Sequence, residues 1–205
     1  MTLRATRSTV LAMNAPMRPP MTLESFLAWE DRQPLRHEFD GVRAIAMTGG
    51  TAAHALIQTN LAIAMGGRLR GKPCRFIGND LKISVVGRVR YPDGFVYCGP
   101  FQPDTEVIED PVVLFEVLSD STSSTDLITK NAEYAATSSV RRYIVLAQDA
   151  IGGTMFERSG DDWTGRLLSA DSVLRMPEIG LEVPMVEFFE GVAFPEEDHG
   201  ATAPD

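Results

Sequence analysis

Pro111-Val112-Val113-Leu114-Phe115-Glu116-Val117-Leu118-Ser119 is an apolar run interrupted by one carboxylate. Its length and its β-branched and aromatic side chains predict a strand buried on both faces. Alternation along that strand sets Glu116 and Leu118 on one face, Phe115 and Val117 on the other. A carboxylate in such a setting is costly unless it is neutralised, paired or bound to a cation. Upstream, Arg90-Tyr91-Pro92-Asp93-Gly94-Phe95-Val96-Tyr97-Cys98 carries a second acid at the head of another apolar strand. Two acids at the mouths of two neighbouring strands form a candidate site for a hard divalent cation.

Outward from this pair, Thr22–Glu30 predicts a short helix capped by Thr22. Asp40-Gly41 predicts a hairpin turn joining strands at 36–39 and 42–47. Thr51–Leu69 is the clearest helix, with Ala55, Leu56, Ala62, Ile63 and Leu69 recurring at helical spacing. Strand candidates follow at 74–77, 81–86 and 89–98, then a polar loop over 99–110. After the Glu116 strand come a Ser/Thr-rich stretch, a helix over 126–138 and a buried strand over 141–147. A two-stranded ribbon at 155–158 and 163–168 and a short helix at 186–189 close the order. This predicts an α/β fold: a mixed sheet flanked by helices, with an N-terminal helix and hairpin and a C-terminal ribbon.

A chain of 205 residues suffices for one domain with a sizeable core. We assign that domain to residues 21–194, with a disordered lead-in over 1–20 and a disordered acidic tail over 195–205. No run approaches the roughly 18 to 20 apolar residues of a membrane span. Val10-Leu11-Ala12-Met13 is too short for a secretory core. A cytoplasmic protein with no membrane partner is the expectation, and Cys74 and Cys98 read as buried free thiols. The net charge of −9 argues against a surface coated for nonspecific nucleic-acid binding. Locally, however, Arg68, Arg70, Lys72, Arg75, Lys82, Arg88 and Arg90 are opposed only by Asp80. Such a stretch suits a phosphate-bearing substrate, and equally suits solvated charges on helix ends and strand edges.

Each candidate has a plainer alternative. Asp93 with Gly94 could cap a turn. Glu116 could sit in a buried salt bridge, with Lys82, flanked along its strand by Leu81 and Ile83, as partner or as a catalytic lysine. Lys130 lies four residues after Asp126, an ordinary surface pair, or one turn into a helix that returns across the end of the Glu116 strand. His54 near a helix start is more often surface or packing than catalysis, and Glu38 sits in the first hairpin. No Ser-His-Asp spacing or phosphate-cradling glycine loop supports acyl transfer or nucleoside triphosphate hydrolysis.

Glu38 before Asp40-Gly41, His54, Tyr91-Pro92-Asp93, Glu116-Val117-Leu118-Ser119, Ser121-Thr122, Asp126, Lys130 and Tyr134, with Leu181-Glu182-Val183-Pro184 and Phe188-Phe189 at the close, together resemble the Uma2-type proteins. These are bacterial endonuclease-like proteins of the PD-(D/E)xK nuclease superfamily. The resemblance covers about residues 22–190. It implies a restriction-endonuclease-like core in which Asp93 and Glu116 bind Mg²⁺, with Mn²⁺ as a substitute. It implies hydrolysis of phosphodiester bonds in nucleic acid, DNA above all. The superfamily's lysine stands two residues after the second acid, and here Leu118 occupies that place. The Uma2-like pattern points to Lys130 instead, with Lys82 as the other option. Glu38 and His54 would orient water or the metal ligands. Arg68, Arg70, Lys72, Arg88 and Arg90 would contact the nucleic-acid backbone. A homodimer fits an enzyme that cuts two strands. A nuclease-fold module that binds without cleaving is the alternative, favoured by Leu118 and by the acidic average.

Overall fold

The computed structural model describes residues 21–47, 49–119 and 125–194. The expected terminal tails, Ser121-Thr122 and the side chain of Asp126 lie outside the described residues. Helix α1 (Leu23–Glu30) begins as expected: the Thr22 hydroxyl accepts the Ser25 amide, and the Ser25 hydroxyl accepts the Thr22 amide. Strands β1 (His37–Phe39) and β2 (Ala44–Ala46) flank the Asp40-Gly41 turn. There the Asp40 carboxylate accepts the amides of Val42 and Arg43, both at 2.9 Å, and Gly41 takes φ 95°.

Helix α2 (Ala52–Leu69) also starts where the cap places it, on Thr51. Its buried face differs from the expectation. Ile57, Leu61, Ala64, Met65 and Leu69 face the core, while Ala62 is exposed and Ile63 is 69% exposed. Alternative apolar stripes run along this helix, and packing against the sheet selects one of them.

The three expected meander strands divide between two sheets. Strand β3 (Arg75–Gly78) pairs antiparallel with β6 (Gly94–Tyr97), whereas β4 (Lys82–Val85) pairs with β5 (Arg88–Arg90). The expected single strand over 89–98 is therefore β5 and β6, parted at Tyr91-Pro92. Proline lacks the N–H that a continuing ladder requires, and the chain crosses from one sheet to the other there. The expected 99–110 loop contains a two-residue strand, β7 (Val107–Ile108), parallel to β4. The Glu116 strand is β8 (Val113–Val117), buried at every position between antiparallel β6 and parallel β9 (Arg142–Leu146).

A π-helical turn, Thr125–Lys130, leads into α3 (Asn131–Ala135), so the second helix ends sooner than the sequence suggested. The ribbon is longer than expected: β10 (Gly152–Ser159) and β11 (Asp162–Ser169). A last hairpin, β12 (Val173–Met176) and β13 (Leu181–Pro184), precedes a 3₁₀ helix at Met185–Phe189.

The sheet orders are β11-β10-β9-β8-β6-β3 and β2-β1-β5-β4-β7. One face of the larger sheet, through Val96, Val113, Phe115 and Val117, packs against α2 and Phe188. Its other face, through Phe95, Leu114 and Val145, meets Ile83, Val85 and Ile108 of the smaller sheet and Tyr134 of α3. Leu118 joins this second cluster, in keeping with the predicted alternation. The smaller sheet in turn holds α1, through Phe26, Phe39, Val89 and Tyr91.

The cysteines are not free thiols. Cys74 and Cys98, one position beyond the Arg75–Tyr97 pair of the β3–β6 ladder, are joined as a disulfide. Their apolar contexts were read correctly, but the register that sets them face to face is a tertiary fact. No helix among the described residues is long and apolar enough to cross a membrane.

Candidate active site

The ends of β6 and β8 meet at the floor of a cleft of about 820 Å³. One wall is Pro34, Leu35 and the β1–β2 hairpin at Ile45–Met47; the other is the start of α2 with His54 and Gln58. Asp93, Glu116, Glu38, His54 and Lys130 all line this cleft, although they come from five separate elements of the chain.

Asp93 stands immediately before β6, and its neighbour Gly94 explains the local sequence. Gly94 is a strand residue, not part of a turn, and a Cβ there would lie 2.4 Å from the Phe76 ring. The Asp93 carboxylate accepts the backbone amide of Val117 at 2.6 Å, which ties it to β8 beside Glu116. Its other oxygen accepts the Gln58 amide at 2.5 Å, and His54 Nε2 lies 3.3 Å from the oxygen that accepts Val117. Gln58 was missed by the sequence reading. The available signal was its spacing: it lies one helical turn after His54 on the same face of α2.

Glu116 is 5% exposed at its side chain and receives the Lys130 ammonium at 2.8 Å. The same ammonium lies 3.4 Å from Glu38. Glu38 also accepts the Tyr91 amide at 3.2 Å and the Arg90 guanidinium at 3.2 Å. Arg90 continues the chain of charges, since it clasps both oxygens of Glu133 at 2.7 and 2.8 Å. Arg88 reaches the same carboxylate at 3.0 Å. Charges thus alternate from Glu116 through Lys130, Glu38, Arg90 and Glu133 to Arg88. Within this network Arg90 is held above the ordinary arginine range, because the adjacent Glu133 and Glu38 outweigh its burial. Tyr134, fully buried near Glu116, is pushed well above the usual tyrosine value by burial first and by that carboxylate second.

Lys82 belongs elsewhere. It bonds Glu30 at 2.8 Å and Asp31 at 3.0 Å, joining β4 to the end of α1, and it does not line the cleft. Of the two lysines considered for the acid pair, only Lys130 meets Glu116. The expected basic face also breaks up. Arg90 is 1% exposed, so it cannot reach a nucleic-acid backbone. Arg88 is committed to Glu133 on β5. Arg68 pairs with Glu187, and Arg70 and Lys72 lie beyond the far end of α2. The linear charge run thus mixes residues of two sheets with residues of one helix end, and only part of it can share a surface.

Among the described residues no three of His, Cys, Asp and Glu converge as a metal cage. That does not conflict with Mg²⁺, which is commonly held by one or two carboxylates together with water and substrate oxygens. Asp93 and Glu116, two hard oxygen donors opening on one cleft, fit such an ion.

The mixed-sheet α/β fold has a counterpart among solved structures. It aligns with the crystal structure of an Anabaena variabilis protein described as "a putative nuclease belonging to DUF820", with a TM-score of 0.69 and 16% identity. The match covers 83% of this chain and 98% of that one. An uncharacterized protein of Synechocystis is 31% identical over 180 residues, spanning 86% of this chain and 95% of the relative. Residues 23–185 match the model of the Uma2 family, described as "Putative restriction endonuclease", and the chain belongs to that family.

Proposed function

We propose that this protein is a metal-dependent endonuclease that hydrolyses phosphodiester bonds in nucleic acid, DNA in the first instance. The observation that carries this reading is the Lys130 ammonium seated on Glu116 in the cleft that also holds Asp93. It restores an acid, acid and lysine constellation although Leu118 fills the usual lysine position. Asp93 and Glu116 would hold Mg²⁺ or Mn²⁺, which supplies a water of lowered pKa and neutralises charge on phosphoryl oxygens. The Val117 amide and the Gln58 side chain fix the orientation of Asp93. Glu38, 3.4 Å from the same ammonium, helps to hold Lys130 in place, so the ammonium would serve the reacting phosphate as an oriented positive charge. His54, on Asp93, is placed to orient the same carboxylate.

A second reading, a nuclease-fold module that binds without cleaving, is favoured by one observation. Both Asp93 oxygens accept hydrogen bonds from within the protein, and Glu116 has an ammonium partner.

Purified protein incubated with plasmid, linear duplex and single-stranded DNA, with and without Mg²⁺ or Mn²⁺, separates the two. The nuclease reading expects metal-dependent cleavage that disappears in Asp93→Ala and Glu116→Ala while both variants remain folded. Cleavage that survives Glu116→Ala would sink the site assignment. Metal binding without turnover on any substrate would establish the second reading.

A further inference from the structure

The acids lie deep. The side chains of Glu116, Lys130 and Asp93 are 5%, 7% and 14% exposed, so a reacting phosphate must descend between the cleft walls to meet them. Two large apolar side chains line the hairpin-side wall yet remain open to solvent: Leu35 at 61% and Ile45 at 40% exposed. Neither belongs to a buried cluster, and neither is needed to hold the acids.

The cleft's charge is equally telling. A duplex is gripped mainly through phosphates of both strands, which takes several Lys and Arg side chains around the site. Among the described residues lining the cleft only Arg36 and Lys130 are cationic. Arg36 is paired with Asp80, and Lys130 is held by Glu116 and Glu38. The exposed cations Arg70 and Lys72 lie beyond the C-terminal end of α2, whereas the cleft lies at its N-terminal end. An 18-residue helix puts those ends roughly 27 Å apart. An unpaired strand carries about half the linear charge density of a duplex, so it gains less from cations, and its open bases add contact with exposed apolar side chains.

We infer that the cleft takes an unpaired nucleic-acid strand, with bases packed on Leu35 and Ile45 while the phosphate reaches Asp93 and Glu116. This inference rests on the nuclease reading and narrows its substrate. Carboxylates this covered favour a strand with no paired partner to hold its phosphate away from the cleft floor.

One sequence prepared as a single strand, a blunt duplex and a duplex with an unpaired flap tests it. Cleavage is followed with Mn²⁺, and binding by fluorescence anisotropy with Glu116→Gln to block turnover. The single strand and the flap should be bound and cut about tenfold or more in preference to the blunt duplex. Leu35→Ser/Ile45→Ser should weaken single-strand binding about tenfold and leave duplex binding alone, with only a small fall in melting temperature, because Leu35 is largely open and Ile45 partly covered. Equal or faster cutting of blunt duplex would overturn the inference while leaving the nuclease intact, as would a double variant with undiminished single-strand affinity. Selective single-strand binding that depends on the wall, with no cleavage of any form, would support the inference and remove the nuclease reading. Binding of none of the three would defeat both.

Discussion

Replacing Lys130 with methionine tests the site without any assumption about substrate. The side chain keeps its length and loses its charge, so Glu116, 5% exposed, and Glu38, 13% exposed, lose the ammonium between them. Breaking a buried ion pair from one side costs about 3–5 kcal/mol, because a desolvated charge is stripped of its partner. Glu38 keeps Arg90 and the Tyr91 amide, and Glu116 gives up its 2.8 Å contact with the ammonium. For a chain of this size about 1 kcal/mol corresponds to roughly 2–4 °C, so the melting temperature should fall by about 6–20 °C. Lys130→Met/Glu116→Gln should recover more than half of that loss, since the offending charge is removed with its partner. Differential scanning fluorimetry and urea unfolding of wild type, both single variants and the double variant close the cycle. A second arm adds divalent cation. If Asp93 and Glu116 hold it, saturation at about a hundred times Kd contributes about 2.7 kcal/mol. The gain should be larger in Lys130→Met, where the lysine no longer competes, and absent in Glu116→Gln. A cost below about 1 kcal/mol, the range of an exposed pair, together with no recovery in the double variant, would refute the buried pair on which the site rests.

Other perturbations address neighbouring parts of the structure. The Tyr134 hydroxyl is buried with no hydrogen-bond partner, so Tyr134→Phe should leave stability unchanged or raise it by up to about 1 kcal/mol in urea unfolding; a comparable loss would show that the hydroxyl is bonded. Val86, at φ 42° beside Gly87 at φ 76°, sits in a two-residue hairpin loop that disfavours a β-branched side chain, and Val86→Asn should stabilise by about 0.5–1 kcal/mol. Burial and the hydrogen bond donated to Glu30 push the Tyr91 hydroxyl up to about 12. A folded value above the unfolded one of about 10 gives stability that is complete below pH 10 and lost as pH rises toward 12. Lys82 acts in the same alkaline direction: burial disfavours its charge, but the hydrogen bonds to Glu30 and Asp31 outweigh that and raise it. Tyrosinate absorbance should therefore show Tyr91 ionising late, together with a fall in melting temperature above pH 10; a transition flat to pH 12 would contradict this.

Local chemistry explains which parts of the fold were legible. Caps and turns depend on a few adjacent residues, so Thr22 and Thr51 set their helix starts to within a residue, and Asp40-Gly41 placed the hairpin although its second strand begins two residues later than expected. The buried strand around Glu116 was legible because a strand covered on both faces leaves a continuous apolar run. What escaped depended on partners distant in sequence. The face of α2 was misread because Ile63 is apolar yet faces solvent. The run over 89–98 was read as one strand because Val89 and Tyr91 lead on to the apolar Phe95 and Val96, although Pro92 already marked the break. The cysteine bond followed from the β3–β6 register, which was hidden once those strands were placed in a meander with β4 and β5.

The site shows the same division, and in it the lysine question has a physical answer. Asp93 and Glu116 were visible because a carboxylate in an apolar strand stands out against its neighbours. The lysine was ambiguous because its usual slot, two residues along the same strand face, is filled by Leu118, which packs into the hydrophobic cluster instead. A charge displaced from that slot must return from another element that ends near the strand mouth. Lys82 alternates with apolar residues in a strand, which made it look buried near the acids, yet its sheet turns it toward Glu30 on α1. Lys130 closes a π-helical turn rather than a regular one, and such widened turns are frequent at functional sites. It arrives between Glu38 and Glu116, two carboxylates from different sheets. The same ammonium therefore couples the hairpin, the acid strand and the second helix. On the nuclease reading the ammonium is catalytic charge and structural tie at once, so a substitution there should register in stability as well as in cleavage.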